Sequence, residues 1–114
     1  MRSRIVPAAF LGLALAGCGP RTPEQARIDN IQDAARAEAD AIRSASGNQA
    51  AAIRAEADTI ASQAEIANDF DAQRLRTRAD ALRKEARIVE RQADARVRAV
   101  RDRARADVSA IKAE

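Results

Sequence analysis

EIANDFDAQ, residues 65–73, interrupts an otherwise steady helical pattern, and its reading decides whether the chain is one long helix or two. Apolar residues recur at helical spacing on both sides of it. Carrying that beat from Ala64 to Leu75 puts Asn68 and Asp71 on the apolar face. Such residues either form a polar layer that sets the register of packed helices or mark a turn. Arithmetic favours a turn, because residues 24–67 and 71–114 are each 44 long. The stretch has neither glycine nor proline, however, and Asx residues alone are a weak stop signal. The reading adopted here is an all-α chain with one long, alanine-rich, amphipathic helix. A two-helix hairpin turning near Asn68 is the alternative.

Working outward, the pattern is regular. Ile28, Ile31, Ala35, Ala39, Ile42, Ser46, Ala50 and Ile53 lie on one face, and Ala57, Ile60 and Ala64 continue it. Beyond the interruption the stripe resumes at Leu75, Ala79, Leu82, Ala86 and Val89. It then runs on through Ala93, Val97, Val100, Ala104, Val108 and Ile111. RAEADAI at 36–42 recurs as RAEADTI at 54–60, eighteen residues or about five turns later. Seven-residue spacing favours a left-handed supercoil and 11-residue spacing a right-handed one, so this mixture predicts nearly straight, coiled-coil-like packing. Alanine dominates the stripe, which lets partner helices approach closely. Thr22-Pro23-Glu24-Gln25 reads as the start: threonine at N-cap, proline at the first helical position, and glutamine three residues on to complete a capping box. Gly47 is the only glycine after residue 19. The apolar phase passes through it unchanged, so a weak point without reversal is expected there.

Composition narrows the function. Residues 18–114 contain 26 alanines, 14 isoleucines, leucines and valines, and a single aromatic, Phe70. That inventory is too lean for a conventional globular core, yet it is rich in strong helix formers. The chain has no histidine, tyrosine or tryptophan and one cysteine, Cys18. No glycine-rich phosphate loop or metal-ligand spacing occurs, so the expectation is a non-enzyme without cofactor or metal. Nucleic-acid binding is also disfavoured: acidic residues interleave the arginine-rich stretch from Arg74 to Arg105, and no aromatics are available for stacking.

The N-terminus reads as a processing signal. Arg2 and Arg4 precede an apolar run over residues 5–16, about a dozen residues where a spanning helix needs roughly 20. A short apolar run behind positive charge is the pattern of a secretory signal. Leu15-Ala16-Gly17-Cys18 resembles a bacterial lipobox, in which a peptidase cuts before the cysteine and the cysteine is acylated. The expected organisation is a signal peptide over residues 1–17, an acylated anchor and short linker over 18–22, and a helical rod over 23–114. Several acyl chains on one residue would hold Cys18 in a membrane far more firmly than a single chain.

As a whole, residues 18–114 resemble the small alanine-zipper and Braun-type outer-membrane lipoproteins, on the strength of the lipobox, the short linker and the alanine-rich charged helix. The resemblance implies a periplasmic spacer that forms homo-oligomers or docks on another envelope protein and touches peptidoglycan. Lys112 is followed by Ala113 and Glu114, so attachment through a terminal lysine does not carry over. Gly19, where an aspartate would resemble an inner-membrane retention signal, points to the outer membrane, facing the periplasm.

Charge adds a polarity. Residues 18–73 carry a net −5 and residues 74–114 a net +6. Such an asymmetry suggests pairing of unlike halves or an anionic partner. On an unbroken rod the basic half lies farthest from the anchor. Arg96, Arg98, Arg101, Arg103 and Arg105 are then the candidate distal residues for non-covalent contact with the carboxylates of peptidoglycan. Asp80–Lys84 and Asp94–Arg98 are expected as helical ion pairs.

Overall fold

A computed structural model describes residues 21–114, and these form two helices joined by a tight turn. Helix α1 runs Pro23–Ile66 and helix α2 runs Asp69–Lys112, 44 residues each. The chain therefore takes the hairpin alternative, and the expected uninterrupted helix is corrected at residues 67 and 68.

The physical reason lies in the side chain of Asn68. Ala67 and Asn68 both adopt extended backbone, with ψ of 162° and 163°. The carboxamide oxygen of Asn68 accepts a hydrogen bond from the backbone N–H of Asp71 at 2.9 Å. Its amide group donates back to Asp71 Oδ2 at 3.1 Å. This reciprocal pair satisfies an otherwise orphaned N–H at the new helix start. Asp69 and Asp71 in the first turn also put negative charge at the positive end of the α2 dipole. Asn68 is exposed, so the polar residues that interrupt the stripe build a cap and no buried layer. A helix can be stopped this way without glycine or proline.

The first cap forms as expected in its main part. Thr22 accepts from the Gln25 N–H at 3.1 Å. The reciprocal half of the capping box is absent, because Gln25 Nε2 donates to Asp29 Oδ1 at 3.0 Å instead. Helix α1 continues through Ser46, Gly47 and Asn48 without a break. A β-carbon placed on Gly47 would meet no atom within 4 Å.

Folding at the turn lays the two apolar stripes against each other. Every stripe position named above is buried or half-buried. Near the turn the seam is made of small residues at seven-residue steps, Ala50, Ala57 and Ala64 on α1 and Ala72, Ala79 and Ala86 on α2, all buried. Ala57, Ile60 and Ala79 form one cluster, flanked by Leu75 and Leu82. Toward the open end the seam is bulkier, with Ile42, Val97 and Val100 packed around Ala39 and Ala93, and Ile28 and Ile111 buried beyond them. Each helix thus supplies the apolar partner that the other lacks, and such packing is the main source of helix stability in proteins.

Ion pairs lace the edges of the seam. Arg54 reaches across to Glu90 with two bonds of 2.8 and 2.9 Å. Arg103 meets Glu38 at 2.8 Å, Arg27 meets Glu114 at 3.1 Å, Arg83 meets Asp58 at 3.2 Å and Arg78 meets Glu56 at 3.8 Å. All lie at the surface, where single pairs are worth about 0–1 kcal/mol. Asp80 turns to Arg83 at 3.4 Å rather than to Lys84. Among the described residues no ion pair within 4 Å joins Asp94 to Arg98.

Candidate functional surfaces

Cys18 and the preceding Leu15, Ala16 and Gly17, with the rest of the expected signal segment and the start of the expected linker, lie outside the described residues. Among the described residues no helix is long and apolar enough to cross a membrane. The geometry that bears on function is therefore that of the hairpin's two ends and its faces.

The five candidate arginines are not distal. The turn folds α2 back, so Arg103 sits against Glu38 of α1, at the open end to which the chain enters from residue 21. The expected distal basic end belonged to an unbroken rod and is corrected with it. The arginines also divide by environment. Arg103 is engaged across the seam with Glu38, and Arg105 leans on Asp102 of its own helix at 3.5 Å. Arg101 and Arg105 line a groove, whereas Arg96 and Arg98 do not. The charge asymmetry is met in part by pairing of unlike halves: Glu38, Glu56 and Asp58 of α1 meet Arg103, Arg78 and Arg83 of α2, while Arg54–Glu90 and Arg27–Glu114 run the other way.

Of those pairs, Arg54–Glu90 has the closest two-pronged geometry. The hydrogen bonds from Arg54 hold the Glu90 carboxyl below its ordinary value, opposed in part by loss of solvation and helped to a lesser degree by the attraction between the two charges. The same bonds raise the Arg54 guanidinium above its ordinary value.

Two surfaces went unread in the sequence. The first is the groove, about 640 Å³ in volume, at the open end of the hairpin. Its cause is local packing: Ala35, Ala39 and Ala104 line it, while bulkier buried residues stand to either side along the helices, Ile28 and Ile111 toward the ends and Ile42 and Val97 toward the turn. Helices propped apart by isoleucine and valine leave a furrow where alanines make up most of the seam. Arg36 and Arg43 come to it from α1, and Arg101, Arg105 and Lys112 from α2, with Asp40 as the one acid. A smaller hollow on the opposite face shares Ala35 and Ala104. It is bordered by the Glu38–Arg103 pair and Asp107 and so carries no excess of positive charge. Arg36 and Arg43 were invisible as site residues because they stand in the acidic half of the sequence. Only the antiparallel fold puts them beside residues 101–112.

The second surface is the tip. Ile66 closes α1 and Phe70 opens α2, and they remain 89% and 74% exposed, the two most exposed large apolar side chains among the described residues. Glu65, Asp69 and Asp71 surround them, so the tip is apolar with an acidic rim.

Compared with known proteins, the chain matches no family model, and no curated protein or solved structure matches it either.

Proposed function

We propose that this chain is a non-enzymatic, lipid-anchored lipoprotein of the bacterial envelope, whose helical hairpin works as a periplasmic spacer. The observation that supports it most is the short interval between the cysteine motif and the hairpin. Thr22, the N-cap of α1, follows Cys18 by only four residues. A lipid on Cys18 would hold the open end of the hairpin at the membrane and carry the turn outward. A helix of 44 residues reaches about 66 Å, half the reach of an unbroken rod. The outer membrane, with the hairpin facing the periplasm, is the proposed location.

The hairpin changes one expectation about partners. A lone helix with an alanine stripe would need other copies to cover it, whereas here α2 covers the stripe of α1 within one chain. Homo-oligomers would then form through the exposed faces. A second reading, an adaptor that docks on another envelope complex, is favoured by Ile66 and Phe70 at the tip, since exposed apolar groups ringed by polar ones mark contact surfaces.

Metabolic labelling with palmitate tests the anchor. Label on the wild-type protein, lost together with membrane association in Cys18→Ala, is the expected result. An unlabelled wild-type protein, or one whose size does not change when lipoprotein signal peptidase is inhibited by globomycin, would rule it out. Crosslinking from position 66 in intact cells separates the two roles: self-adducts support the spacer, and a single foreign adduct lost in Phe70→Ser supports the adaptor.

A further inference from the structure

We propose that the groove at the open end of the hairpin is a binding site for the headgroups of anionic phospholipids at a membrane surface. Its rim carries the guanidinium groups of Arg36, Arg43, Arg101 and Arg105 and the ammonium of Lys112, against the single carboxylate of Asp40. Arg36 and Arg105 touch only Asp33 and Asp102 of their own helices, at 3.3 and 3.5 Å. Exposed pairs of that kind are weak and exchange readily for a better anion. Among the described residues Arg43, Arg101 and Lys112 have no ion pair within 4 Å. Guanidinium forks match phosphate oxygens in a bidentate way that an ammonium cannot.

The floor selects the class of anion. Ala35, Ala39, Ala104 and Val108 give the groove an apolar base between its charged walls. A free inorganic anion gains nothing from such a base. A phospholipid does, because its glycerol and first acyl carbons can lie on the alanines while its phosphate meets the arginines. The arrangement is also one-sided, since the hollow on the opposite face holds Glu38, Arg103 and Asp107 and has no cationic excess. The open-end part of this face, and not of the other, would therefore turn to the membrane, with the hairpin leaning outward from its anchored end. The choice of a lipid over other anions rests on the membrane reading above, because the groove lies at the end nearest Cys18. The test is set so that the two can fail separately.

The test uses the full chain carrying Cys18→Ala, which has no lipid of its own. Its partitioning is compared between vesicles of phosphatidylglycerol mixed with phosphatidylcholine and vesicles of phosphatidylcholine alone. Each basic residue near an anionic surface contributes roughly fivefold in affinity, so four arginines should give on the order of a 100-fold preference for the anionic vesicles, after allowance for overlap. R36Q/R43Q/R101Q/R105Q should lose most of that preference. R74Q/R76Q/R87Q/R91Q has the same change in net charge on exposed residues outside the groove and should retain about tenfold or more tighter binding than the groove variant. The apolar run over residues 5–16 is common to all variants and cancels in the comparison. If the quadruple groove variant loses its helical circular dichroism, R43Q and R101Q measured singly make the same comparison at roughly fivefold each. Equal losses in the groove and control variants would reduce the effect to net charge and overturn the site. So would an absence of preference for anionic vesicles. Displacement from the vesicles by inorganic phosphate at matched ionic strength would make the groove a free-phosphate site and overturn the lipid reading. Palmitate labelling of Cys18, measured apart, decides the anchor without touching this result.

Discussion

Replacing Asn68 and Asp71 together by alanine removes the device that ends one helix and begins the next. Asn68 contributes a bond to the Asp71 N–H at 2.9 Å and one to the Asp71 carboxylate at 3.1 Å. Loss of an Asn cap costs about 1 kcal/mol. Loss of the Asp71 charge from the first turn of α2 adds roughly 0.3–1 kcal/mol, for a total of about 1.3–2 kcal/mol. At roughly 4–8 °C per kcal/mol for a domain of this size, Tm should fall by about 5–16 °C. The hairpin itself should survive. Opening it would expose the whole buried seam from Ile28 to Ile111, and burying apolar surface is worth about 25 cal/mol per Å². Thermal unfolding by circular dichroism on residues 21–114 gives the loss, and small-angle scattering gives the length. A helix of 44 residues spans about 66 Å, and continuous helix from Pro23 to Lys112 about 135 Å. An unchanged Tm would show that the cap is idle. A particle about 135 Å long with the wild-type mass would show that the cap, and not the seam, holds the chain folded back.

Three further predictions follow from named residues. Gly47→Ala should raise stability by up to about 1 kcal/mol, since the site is helical, open and free of any clash; a lower Tm would contradict the unbroken course of α1. Ala79→Leu should cost about 1–3 kcal/mol by overpacking the seam where Ala79 meets Ala57 and Ile60; a denaturation midpoint at or above wild type would mean that the helices are not in close contact there. Glu90→Gln should destabilise at neutral pH but not in acid. The folded Glu90 carboxyl titrates below its unfolded value, so its contribution is present above the ordinary glutamate range and is lost as pH falls through the folded value. A Tm difference between variant and wild type that stays constant as pH falls through this range would exclude a charged pair with Arg54.

The stripe was fully legible because an alanine–isoleucine pattern at helical spacing leaves few alternatives. The start at Thr22 was legible for the same kind of reason, a threonine followed by proline. The turn was harder. Asn68 and Asp71 have the three-residue spacing of a capping pair, but aspartate replaces the glutamate or glutamine of the familiar box, and no glycine or proline announces the cap. Read along the stripe, the two looked like a polar layer; read as a cap, they end a helix. The distal placing of the candidate arginines depended on that single turn, which brings them back toward the open end and separates Arg101 and Arg105 from Arg96, Arg98 and Arg103. Arg36 and Arg43 could not be joined to them at all, because nothing local in α1 signals a neighbour that far along the chain, on α2.

Ala50, Ala57 and Ala64 stand at the same distances from the turn as Ala86, Ala79 and Ala72. Such matched rungs make the hairpin a ruler with a built-in graduation. Inserting or deleting seven residues in both helices at once would add or remove one rung, moving the tip by about 10 Å while preserving the facing alanines. The same change in one helix alone would shift its neighbour along the seam and put the bulkier levels toward the open end out of step. Reach can thus be altered only in paired steps, and a series of such lengthened and shortened chains would measure how far the Ile66–Phe70 tip must extend to act.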